Sequence, residues 1–150
     1  MIIFEPFHKM LGIINEVHKN QKDENDNPLI IHILSATMSL AKAYSDQDLL
    51  AISLGQYLFD KTDISKQHLL NEGFSYRVVS TIEILTHDVP STEYKSRILE
   101  SKDASRIKYH TLSHLLSFQT NNILQYRIRK SFLSDIRISL GDSRLITPII

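Results

Sequence analysis

With seven histidines and no cysteine, any metal chemistry in this chain falls to imidazole and carboxylate ligands. His110 and His114 stand at i and i+4, the spacing that puts two imidazoles on one side of a helix. His32 lies inside an otherwise apolar stretch. These three define a candidate three-histidine centre for manganese or zinc. The glutamate that an H-E-x-x-H helix uses as its base is missing, and the competing reading is one packed and one exposed histidine. His87 and Asp88 form a literal His-Asp pair, but they precede Pro90, which disfavours helix at Val89, so they read as a surface loop. No serine sits in a G-x-S-x-G context, and four glycines leave no phosphate-cradling loop. The cations Arg127, Arg129, Lys130 and Arg137 read as the solvated face of a last helix rather than an anion or nucleic-acid patch.

The elements that must position these groups are helical throughout. Residues 51–60 read as a buried helix, with Ala51, Leu54 and Leu58 at helical spacing and Ile52 and Phe59 flanking. Gly55 and Gln56 interrupt it where a turn should face the core. An interior glycine costs roughly 1 kcal/mol against alanine, so Gly55 demands a reason. The apolar period predicts further helices over 6–19, 29–44, 65–71, 75–85, 92–100, 103–118 and 123–140. Proline favours the first turn at Pro6. Ser65 and Ser75 read as N-caps, the stretch 45–48 as a cap with acids in the first turn, and Gly73 and Gly141 as stops. Asn121 and Asn122 read as a turn, and the tail 146–150 as apolar enough to dock. No alternating strand pattern competes. The expectation is an all-α fold, one compact domain over 1–150 with seven or eight helices.

Composition narrows the function classes. Seventeen basic and seventeen acidic side chains leave no net field to attract nucleic acid or an acidic membrane. The missing cysteines exclude disulfides and fit a reducing, cytoplasmic setting. The N-terminus lacks the features of a signal peptide, and no run approaches a membrane span.

The stretch from His18 and Gln21 through Pro28 and Ile30 to His32 resembles the H-x-G-Q…P-Y-I-x-H signature of HD-domain phosphohydrolases, in the branch that hydrolyses (p)ppGpp. Residues 49–62 resemble that branch's A-A-L-L-H-D-x-x-E-D-T helix. Thr86, Tyr94 and Ile98 fall where it reads L-T and then Y-x-x-R-I, and Ile107, Lys108 and His114 follow I-K-x-x-D-x-x-H-N. The resemblance spans about residues 7–118, with a helix and tail over 119–150.

In that family one divalent metal is held by the histidine of P-Y-I-x-H, the His-Asp pair and a later aspartate, and it activates water and polarises a phosphoryl oxygen. The resemblance puts His32 at the first position, Gly55 and Gln56 at the pair, and Thr111 at the last. The family's water-handling acids become Phe59 and Asp60, its nucleotide-holding cations become Asp23 and Glu24, and its late asparagine becomes Leu115. The implied reading is a pseudoenzyme without metal or catalytic residues, acting in binding or regulation as a homo-oligomer or beside a protein partner, with a small nucleotide as a candidate ligand. The alternative is an active phosphohydrolase built on His32, His110 and His114. In the first reading His32 is expected to hydrogen-bond Gln56, Thr111 or water. Asp60 is expected to cap the 61–65 turn.

Overall fold

A computed structural model describes residues 5–87, 91–117 and 123–141. The expectations for Asp88, Val89, Pro90, Phe118, Asn121, Asn122 and the tail lie outside the described residues. The chain is all-α. Its helices are α1 (Pro6–Val17), α2 (Leu29–Ala43), α3 (Gln47–Gly55), α4 (Leu58–Lys61), α5 (Lys66–Asn71), α6 (Tyr76–Leu85), α7 (Thr92–Leu99), α8 (Lys102–Leu116) and α9 (Ile123–Leu140). Among the described residues, extended pairing is limited to one bridge, between Lys22 and Pro28.

Local chemistry sets most of the boundaries. Pro6 opens α1. Ser65, Ser75, Ser91 and Ser101 each accept a backbone N–H in the first turn of the helix that follows. Asp46 caps α3 by accepting from the amides of Asp48 and Leu49. Gly73 and Gly141 adopt positive φ just past α5 and α9, the left-handed turn that ends a helix.

The helix expected over 51–60 is in fact two. It breaks after Gly55, and a single turn, α4, resumes at Leu58. Counting α4 as the continuation of α3 gives eight helices among the described residues. At the break the Gln56 Nε2 donates to the Ser53 carbonyl (3.0 Å), occupying an acceptor that the helix end would leave open.

α3 is the hub. Every residue from Leu49 to Gly55 is buried, and the helix packs on α1, α2, α6 and α8. Such a helix shows almost no amphipathic stripe because apolar neighbours surround it. Gly55 has its reason here. A Cβ at that position would lie 2.9 Å from the Met10 Cε and 3.0 Å from the Ile82 Cδ1, so α1 and α6 have closed over the glycine. α8 is also engaged on several sides, by α2, α3, α6, α7 and α9. Its buried set is therefore wider than the single stripe expected from its sequence and includes Tyr109, His110 and Leu112.

Candidate functional site

The four positions that the resemblance aligns with a metal centre do not form one hydrogen-bonded set: His32 bonds to Tyr57 and His114, Gln56 bonds to Thr111, and Gly55 has no side chain. α2 supplies His32, which is 2% exposed. The α3–α4 break supplies Gln56 and Tyr57, and α8 supplies Thr111 and His114. The His32 Nδ1 lies 2.6 Å from the His114 Nδ1, and its Nε2 lies 2.9 Å from the Tyr57 hydroxyl. One of the two facing Nδ1 atoms carries the proton and the other accepts it. If His32 donates there, its Nε2 accepts from Tyr57; if it accepts, its Nε2–H donates to the tyrosine oxygen. The proton positions along Tyr57, His32 and His114 are thus linked.

Gln56 and Thr111 pair with each other. The Thr111 hydroxyl lies 3.1 Å from the Gln56 Oε1 and 3.0 Å from the Ile107 carbonyl, so its single proton is shared between two acceptors. This corrects the expected partnership of His32 with Gln56 or Thr111. Opening the helix after Gly55 lets the tyrosine hydroxyl reach the imidazole, while the amide turns to Ser53 and Thr111.

These residues do not fit the family's metal. Gly55 brings no donor, and the Met10 and Ile82 tips fill the space a ligand side chain would need. The Gln56 amide is spent on Ser53 and Thr111. Of the candidate histidine centre, the structure joins His32 and His114, whereas His110 turns to the Ser39 hydroxyl, 2.9 Å from its Nδ1. Among the described residues, no three His, Cys, Asp or Glu side chains are grouped as metal ligands would be.

Burial keeps this network neutral. Desolvation pushes His32 down to about 4, with His114 adding to the effect and Asp23 and Glu24 opposing it. Burial alone pushes His110 down to about 4. His114 is lowered by burial against the pull of Asp23. His18, fully buried, is lowered by burial, against its bond to Gln21. The two signature residues His18 and Gln21 form a staple: the His18 Nδ1–H donates to the Gln21 Oε1 (2.7 Å), and the Gln21 Nε2 donates to the Lys61 carbonyl (2.7 Å). The end of α1 is thereby fastened to the end of α4.

Asp60 does not cap the following turn. It accepts from the His87 amide at 2.9 Å, and its other oxygen lies 3.3 Å from the His87 Nδ1. The exposed His87 therefore has a carboxylate partner outside its own dipeptide, in a positive-φ turn.

Sequence reasoning missed a cleft of about 810 Å³ between α7, α8 and α9. Lys95, Lys108, Arg127 and Arg129 line it, with Leu112 and Phe132 among its apolar walls, and no Asp or Glu is among its described lining residues. Two of these cations are ion-paired, Lys95 with Asp135 and Arg129 with Glu24. Lys108 is 4% exposed, its Nζ 5.2 Å from the Tyr94 ring centroid. Of the α9 cations, Arg127, Lys130 and Arg137 are exposed, as a solvated face requires, and Arg129 is half-buried; Arg127 and Arg129 also border the cleft. The four cations of the cleft come from three helices, so no single stretch of sequence signals it.

Among solved structures, one described as "A metazoan ortholog of SpoT hydrolyzes ppGpp and plays a role in starvation responses" superposes on this chain with a TM-score of 0.70. The match covers 94% of each chain at 18% identity. The fold is shared. At that identity the likeness to the ppGpp hydrolase is one of architecture. No family model matches the chain, and no curated protein matches it. Among the described residues no helix is long and apolar enough to cross a membrane.

Proposed function

We propose that this chain is a non-hydrolytic protein on the ppGpp-hydrolase fold, which binds a phosphorylated small molecule such as a guanine nucleotide in the α7–α8–α9 cleft and acts through binding or regulation. The observation that carries the non-hydrolytic half is Gly55: the tips of Met10 and Ile82 stand where a ligand side chain would have to be. The Gln56–Thr111 bond supports it, because two further family metal positions satisfy each other without an ion. The binding half rests on the cleft, whose size suits a small ligand and whose four cations suit phosphate.

Elemental analysis after exposure to manganese, iron and zinc should find no stoichiometric metal, and ppGpp incubated with the protein should remain intact. About one metal per chain, or metal-dependent release of pyrophosphate, would overturn the reading in favour of a hydrolase built on His32, His110 and His114. Guanosine diphosphate should bind in the presence of a chelator, and Arg127→Ala should weaken it.

A further inference from the structure

One cation of the cleft, Arg129, is held by a carboxylate that is not among the lining residues. Glu24 belongs to the connection between α1 and α2, yet it reaches α9. Its Oε1 lies 2.7 Å from the Arg129 Nη1, and its Oε2 lies 3.0 Å from the Arg129 Nη2, a fork-to-fork pair. The Gln125 Nε2 approaches the same Oε2 at 3.4 Å. Arg129 is the more enclosed partner, its side chain 20% exposed against 41% for Glu24.

The loop that presents Glu24 is built, not slack. The Asp23 Oδ1 accepts from the amides of Asn25 (2.8 Å) and Asn27 (3.0 Å), and the Asp23 amide donates to the Asn27 carbonyl (2.8 Å). Asp26 takes the positive φ that the turn requires. The Lys22–Pro28 bridge closes the base. Glu24 thus stands at the tip of a preorganised turn, aimed at the cleft's arginine.

We infer that Glu24 is an internal competitor for the cleft: its carboxylate holds Arg129 in the ligand-free protein, and an incoming phosphate must displace it. The inference rests on the binding reading of the cleft. The edge of the Arg129 guanidinium that Glu24 holds is the one formed by Nη1 and Nη2, and a phosphate that takes that edge leaves Glu24 with Gln125. Because Glu24 is tied to the turn before α2, ligand entry also loosens that turn from α9.

The test is calorimetric titration of guanosine diphosphate, with chelator present, into wild type, Glu24→Gln, Glu24→Lys and Arg129→Gln. The carboxylate is half exposed, so the expected gain is modest: Glu24→Gln should bind about two- to five-fold more tightly than wild type. Glu24→Lys should bind at least as tightly as Glu24→Gln, and Arg129→Gln more weakly than wild type. Hydrogen exchange over residues 22–28 should quicken when nucleotide binds to wild type. Equal affinity of wild type and both Glu24 variants would overturn the competitor and leave the cleft reading standing. Absence of binding to all four proteins would overturn both.

Discussion

Gly55 occupies a position where the family resemblance calls for an imidazole, and the protein has spent that space on packing. Gly55→His must push aside the Met10 thioether and the Ile82 methyl. Overpacking of this kind should cost about 1–3 kcal/mol. In a Met10→Ala background the added cost should shrink, since the small side chain makes room; a double-mutant cycle in urea measures that coupling. Thr111→Val is a sharper probe of the neighbouring pair. It preserves shape but strips the proton offered to the buried Gln56 Oε1. Leaving that oxygen unpaired should cost roughly 1–3 kcal/mol, seen as a lower urea midpoint. If Thr111→Val unfolds at the wild-type midpoint, Gln56 has no stake in Thr111.

At the scale of elements, α2 and α8 are joined by imidazoles that the fold keeps neutral. His32 and His110 titrate in the unfolded chain near 6.5 and in the folded one near about 4. Between those values the unfolded state binds more protons, so stability rises with pH across that window. It is complete above the unfolded value and falls as acid is added toward 4. Urea midpoints at pH ~7.5 and ~5 should differ in that direction, and His110→Asn should flatten the dependence. Helix starts supply a second prediction. Arg77 bridges the Asp46 carboxylate at the start of α3 and the Asp103 carboxylate in the first turn of α8. Asp46 also caps α3 through two amides. Asp46→Ala should lower stability by about 1 kcal/mol in thermal denaturation, most of it from the lost cap, because Arg77 retains Asp103 and its ion pairs are partly exposed.

For the molecule as a whole, one continuous apolar core runs from Met10 in α1 to Ile136 in α9. Helices that share a core this way should unfold together. Far-ultraviolet circular dichroism and tyrosine fluorescence should therefore trace one coincident transition in urea; separate midpoints would show that the helices do not unfold as one unit. The overall architecture matches that of a ppGpp hydrolase across nearly its whole length.

Much of this fold could be read along the chain. The helices, the caps at Ser65 and Ser75, and the stops at Gly73 and Gly141 depend on residues within a turn or two of each other, and backbone hydrogen bonding and apolar period act over that range. The helix break after Gly55 was not legible, because the apolar period runs on through Leu58 and Phe59. Nor was the network around His32, whose closest partner, His114, is 82 residues away. The bond from Arg129 to Glu24 spans 105 residues. Such contacts are decided by how helices pack, which sums many weak side-chain interactions across the core and leaves no local signature. The sequence alone determined an all-α chain with a glycine inside its central helix; only the tertiary structure decided that the tips of Met10 and Ile82 pack over that glycine and that four scattered cations line one cleft.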